Sequence, residues 1–195
     1  FKEMPELCDL AVRALDEVID YQNYPVKAAE ISTKKRRSLG IGYIGLAHFL
    51  AKNKVKYNDE EAFKLVHRLT EHFQFNLLKT SIQLAEEKGE CDGWSDTKYF
   101  GGQLPIDHYK KDVDEIADFE YECDWESLRE ELVKHGLEHI ETFWSDLVGP
   151  NQPITSSGLS DIVFNRGYII ESICSTVMDH TGLPRDEMFD NVREK

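Results

Sequence analysis

The sequence predicts a mostly helical chain with little β structure, and three features predict it. Leu7, Leu10, Ala11, Ala14, Leu15, Val18 and Ile19 recur at helical spacing, and so do Phe63, Val66, Leu69, Phe73, Leu77 and Leu84. Only short β-type runs lie between such stretches. The helices carry apolar stripes, yet there is almost no sheet for them to cover. That imbalance points to a piece of a larger α/β protein whose strands lie elsewhere in a parent chain.

The elements follow in order. Pro5 suits the first turn of the first helix, and Tyr24-Pro25 ends the run, because the residue before proline avoids the α region. Lys34-Lys35-Arg36-Arg37 is expected as a solvated turn. Ser38 to Gly45 reads as a short strand or a tight strand-to-helix turn, leading into a helix through Leu46, Ala47, Phe49 and Leu50. Asn58 is expected to cap a long third helix, with Glu61 completing a capping box and Gly89 stopping it. Cys91 to Pro105, rich in Gly, Asp, Ser and aromatics, reads as a long ordered loop. A short helical piece is expected from Asp107 to Ala117. Asp124 caps a last helix that turns Trp125, Leu128 and Leu132 inward and ends at Gly136. Beyond Leu137 the pattern weakens, and Ser160 to Met178 fits a helix or a strand and helix.

Composition narrows the function. The chain has 195 residues, 41% hydrophobic and 31% charged, enough for a domain with a core. No apolar run approaches the ~20 residues of a membrane helix, so no membrane partner is expected. A net charge of −14 repels phosphate backbones and argues against nucleic-acid binding. Phe1-Lys2-Glu3-Met4-Pro5 reads as the interior of a longer sequence. Cys8, Cys91, Cys123 and Cys174 are far apart and form no CxxC, which fits buried thiols in a reducing cytoplasm.

Several motifs invite chemistry. Gly40, Gly42 and Gly45 match a dinucleotide fingerprint, but the polar residues before them do not suit a buried central strand; the glycines are expected to allow close backbone packing. His135, Glu138 and His139 match the pattern of a zinc hydrolase, yet Gly136 interrupts it and no third ligand follows. His67, Glu71 and His72 read as a solvated helix face, and no metal site is expected. Thr155-Ser156-Ser157-Gly158 could cradle a phosphate at a helix start or serve as an ordinary cap. No acid–base pair and no nucleophile–histidine pair stands out.

Five ordered blocks carry a resemblance. They are Leu10-Ala11-Val12-Arg13-Ala14-Leu15-Asp16 with Asp20 to Pro25; Arg36-Arg37-x-Leu39-Gly40-Ile41-Gly42; Leu104-Pro105-Ile106-Asp107-x-Tyr109-Lys110; Asp124-Trp125-Glu126-Ser127-Leu128-Arg129; and His135-Gly136-Leu137. In order and spacing they resemble the large subunit of the class I ribonucleotide reductases. The resemblance implies a fragment of a ten-stranded α/β barrel, with Gly40 and Gly42 in a barrel strand. It divides the chain into a partial barrel segment with a small inserted subdomain, 1–137, and a divergent or unrelated C-terminal tail, 138–195.

It also implies a function. The family reduces ribonucleoside diphosphates to 2′-deoxyribonucleoside diphosphates by thiyl-radical chemistry. Its radical and redox cysteines match none of Cys8, Cys91, Cys123 or Cys174, so no catalytic residue carries over. The family's phosphate loop is matched only at Thr155, Ser156 and Ser157, the candidate substrate-phosphate residues. The segment is expected to bind no cofactor itself; the intact enzyme uses ATP or dATP effectors and a metal-radical small subunit. Expected partners are the remaining large-subunit segments and the small subunit, in a cytoplasm (a host's, were the gene carried by a phage). The rival reading is a non-catalytic acidic helical module that binds or regulates.

Overall fold

In the computed structural model, residues 1–108 and 120–148 are described. They fall into two compact units: Phe1–Asp92 with the segment ending at Trp125, and Gly93–His108 with the chain from Glu126 onward. No strand occurs among the described residues.

The first unit is built on two helices, α1 (Met4–Tyr21) and α4 (Glu60–Lys88), packed on each other. Between them come α2 (Lys27–Arg36) and α3 (Leu46–Lys52). Pro5 sits in the first turn of α1 as expected. The helix stops at Tyr21, ahead of Tyr24-Pro25, with Gln22 already extended. The Tyr24 hydroxyl donates to the Ile19 carbonyl at 2.7 Å and seals the end.

The buried face of α1 differs from the expected stripe. Cys8, Val12, Asp16 and Ile19 are buried, while Leu7, Leu10 and Val18 stay 59%, 65% and 48% exposed. The apolar sector of α1 is wider than the face that α4 covers, and among the described residues Leu7, Leu10 and Val18 stay open. Burying a single leucine or valine side chain stabilises by about 1.5–3 kcal/mol, so the open half is several kcal/mol of unrealised burial.

Three further expectations are corrected. Helix α2 replaces the expected turn; it has no buried residue, so it leaves no periodic signal, and it is held by Glu30 pairing with Lys27 at 2.9 Å and Lys34 at 3.1 Å. Asp59, not Asn58, is the N-cap of α4; no capping side-chain bond forms, and the Asp59 carbonyl accepts from Ala62 N–H and Phe63 N–H. Phe63, assigned to the core stripe, is 56% exposed, whereas Glu71, Asn76 and Thr80 are buried. Gly89 does close α4, in the left-handed region at φ 86°.

The second unit holds the expected ordered loop, shaped by 3-10 turns at Trp94–Asp96, Lys98–Gly101 and Pro105–His108. Phe100 and Leu104 are buried, and Phe100 meets Trp94 edge-on at 5.8 Å. Helix α5 (Trp125–Val148) starts directly after Asp124 and buries Trp125, Leu128 and Leu132, as the sequence predicts. It does not end at Gly136. The helix runs through that residue, and through the expected 137/138 division, to Val148. Glycine inside a helix costs about 1 kcal/mol, a loss the surrounding turns absorb. The expected helix over Asp107–Ala117 falls largely, and Ser160–Met178 wholly, outside the described residues.

Candidate functional site

The segment Ser38–Ile44 forms neither helix nor strand, and the residues at its ends are anchored on different helices. At one end Arg37 takes the left-handed conformation, φ 45°. Its Nε donates to Asp16 Oδ1 at 2.8 Å and one terminal nitrogen to the Asp16 carbonyl at 3.0 Å. The other guanidinium hydrogens reach Asp20 at 3.0 and 2.8 Å. Lys88, from the end of α4, donates to Asp16 Oδ2 at 3.1 Å and pairs with Glu17. Buried Asp16 is thus met by two cations, which offsets its desolvation. Hydrogen bonding from Arg37 holds the Asp20 carboxyl below the usual range; hydrogen bonds to Glu17 and then Asp16 raise Lys88 above its own.

At the other end the Tyr43 hydroxyl shares a 2.8 Å hydrogen bond with Thr70, and its ring stands edge-on to Phe73 at 5.3 Å. Between the anchors, among the described residues, nothing approaches within 4 Å of where a Cβ would stand on Gly40 or Gly42, and Ile44, just past the second anchor, is fully exposed. Among the described residues the close packing expected at these glycines is not found, and none of those residues forms a strand beside them. Among the described residues, the Ser38–Ile44 backbone bonds to no other backbone.

A second cluster lies where the chain returns along α4. Glu71 Oε1 accepts from Glu122 N–H and Cys123 N–H at 2.9 Å each, and from the Trp125 indole at 3.2 Å. Glu71 is 5% exposed and its Oε2 is buried with no hydrogen-bond partner, so the expected solvated face is corrected. Its sequence signal was hidden, because a carboxylate on a helix reads as solvent-facing until the facing N–H groups are placed. Glu122 also accepts from Arg68 at 2.7 Å and faces His72 Nε2 at 3.0 Å.

In the second unit, Arg129 forks onto Asp107 with two 2.8 Å bonds and donates to the Gly102 carbonyl at 2.7 Å. The two motif blocks that contain these residues are thereby joined.

The remaining sequence candidates are placed as follows. Cys8 is buried, its thiol directed at the Phe73 carbonyl at 3.8 Å; Cys91 and Cys123 are only partly buried, which corrects the expectation for those two. Glu138 lies on α5 and pairs with Lys134 at 3.8 Å. Among the described residues no three His, Cys, Asp or Glu side chains are grouped to hold a metal ion. Thr155, Ser156, Ser157 and Cys174 lie outside the described residues.

Comparison with known proteins identifies the motif set. The family model "Ribonucleotide reductase, barrel domain" matches residues 1–143. The chain is 50% identical over 167 residues to the ribonucleoside-diphosphate reductase subunit alpha of Buchnera aphidicola subsp. Acyrthosiphon pisum, covering 86% of this chain. It is 49% identical over 132 residues to that of Enterobacteria phage T4, and 44% over 151 residues to subunit alpha of reductase 1 of Escherichia coli, covering 68% and 77% of this chain. The aligned part spans 22%, 17% and 20% of those relatives' lengths. The chain belongs to the ribonucleotide reductase large-subunit family, matching part of its barrel domain.

Proposed function

We propose that this chain works as a segment of the catalytic subunit of a ribonucleoside-diphosphate reductase, inactive alone, and completed by other polypeptide. One observation carries the reading: a segment without helix or strand, fixed at Arg37 and Tyr43 and open between them, in a unit whose α1 exposes an apolar face. Unpaired backbone groups gain when a strand adds alongside them, and Gly40 and Gly42 leave room for a close neighbour. The open leucines of α1 gain when a second layer covers them.

The relatives' names supply the reaction class, reduction of ribonucleoside diphosphates, and the family resemblance supplies the 2′-deoxy product. On this reading the radical, redox and effector groups belong to the rest of the enzyme, and this segment binds no cofactor of that reaction. Thr155, Ser156 and Ser157 contact the substrate's phosphates. The partners are the remaining large-subunit segments and the radical-supplying small subunit, in the cytoplasm.

The test mixes the chain with the complementary large-subunit polypeptide and the small subunit, then measures association and deoxyribonucleoside diphosphate formation. Activity is expected only in the complete mixture. Leu10→Asp and Ile44→Lys change side chains that are 65% and fully exposed, so the free chain stays folded. Each is expected to weaken association about tenfold or more, the cost of a charge buried at a joint. Absent association, or association that neither substitution affects, defeats the reading.

A further inference from the structure

Cys123 and His72 stand together beside the buried Glu71 carboxylate. The Cys123 thiol faces His72 Nδ1 at 3.6 Å. On the far side of the same ring, His72 Nε2 lies 3.0 Å from Glu122 Oε2. An ionised carboxylate only accepts, so Nε2 presents a hydrogen to Glu122, and in the neutral ring that leaves the Nδ1 lone pair facing the sulfur. In a tetrahedral zinc site, bonds of about 2.3 Å to sulfur and 2.0–2.1 Å to nitrogen put the two ligand atoms about 3.6 Å apart. A ligating histidine characteristically gives its other N–H to a carboxylate, and Glu122 occupies that position.

We infer that Cys123 Sγ and His72 Nδ1 form a two-residue site for a zinc-type, thiophilic divalent cation. Water fills the remaining positions, since no third protein ligand is already grouped with the pair among the described residues. One further observation favours a cation here: the buried Glu71 carboxylate, which also accepts from the Cys123 backbone N–H, keeps its other oxygen, Oε2, without a hydrogen-bond partner. Binding forms a metal–sulfur bond and a metal–nitrogen bond, breaks the S–H bond and releases that proton to solvent. The site is independent of the reductase assignment and is present in the chain as it stands.

The experiment adds Co²⁺, and separately Zn²⁺, to the reduced, untagged full chain. One equivalent of Co²⁺ is expected to produce a thiolate-to-cobalt absorption band, which Zn²⁺ then displaces. Calorimetry in buffers of different ionisation heat is expected to report proton release on Zn²⁺ binding. Cys123→Ser abolishes the band, while Cys91→Ser retains it. Glu122→Gln, which takes the negative charge from the acceptor behind the ring and from its pair with Arg68, weakens Zn²⁺ binding by about 10- to 100-fold, the usual effect of such outer partners. His72→Ala, with its circular dichroism unchanged, loses at least as much. No band with the wild-type chain, a band that survives Cys123→Ser, or unchanged affinity in a folded His72→Ala chain overturns the inference.

Discussion

Arg37 closes on Asp16 through both side chain and backbone, at 2.8 Å to Oδ1 and 3.0 Å to the carbonyl oxygen, across 21 positions of sequence. The contact ties the start of the Ser38–Ile44 segment to α1. It also explains why a non-glycine residue sits in the left-handed region there: the ion pair offsets a conformational cost of about 1 kcal/mol.

Arg37→Met should therefore destabilise the chain by about 2–4 kcal/mol, because buried Asp16 keeps only Lys88 as a cationic partner. Arg37→Gly relieves the backbone cost and should lose about 1 kcal/mol less than Arg37→Met. Urea denaturation measures both. Equal losses in the two variants would show that the left-handed backbone carries no strain.

Glu71→Ala leaves three donors, two backbone N–H groups and the Trp125 indole, without their shared acceptor. A cost of about 2–4 kcal/mol is expected, with a red shift of Trp125 fluorescence as water reaches the indole. Glu71→Gln keeps one carbonyl oxygen in place and should cost less than half as much. A Glu71→Ala variant as stable as wild type would refute the role of Glu71 as their shared acceptor.

Gly102 has φ 69°, and a Cβ there would stand 2.8 Å from Val133 Cγ2. Gly102→Ala is expected to cost about 1–3 kcal/mol from backbone and overlap together. Placed in a Val133→Ala background the same substitution loses only the backbone part, about 1 kcal/mol. A full-sized penalty in that background would exclude the overlap.

Arg13 supplies the pH dependence. It forks onto Glu87 and pairs with Asp9 at 2.8 Å, and hydrogen bonding from Arg13 holds the Glu87 carboxyl below its ordinary range. A carboxyl depressed on folding stabilises above its unfolded pKa of about 4.3, and that contribution is lost as pH falls through the lower folded value. The stability gap between wild type and Arg13→Met should therefore be constant near neutrality and narrow below about pH 4. High salt should shrink it at every pH, because the pair is exposed. Taking the difference removes the opposing effect of discharging so acidic a chain. A gap that widens in acid would contradict the pairing.

The sequence by itself determined the two long helices of the first unit, the start of α5 with Trp125, Leu128 and Leu132 inward, and the family, because apolar period and ordered motif blocks are properties of the chain alone. Tertiary structure decided which half of the α1 apolar sector found a neighbour. Periodicity reports that a face is apolar, not what stands opposite, so Cys8, Val12 and Ile19 went inside while Leu7, Leu10 and Val18 stayed out. It also decided the fate of the polar residues. Asp16 and Glu71 are buried only because Arg37, Lys88 and three N–H groups from distant sequence converge on them, a matter of distance in space that no local pattern encodes.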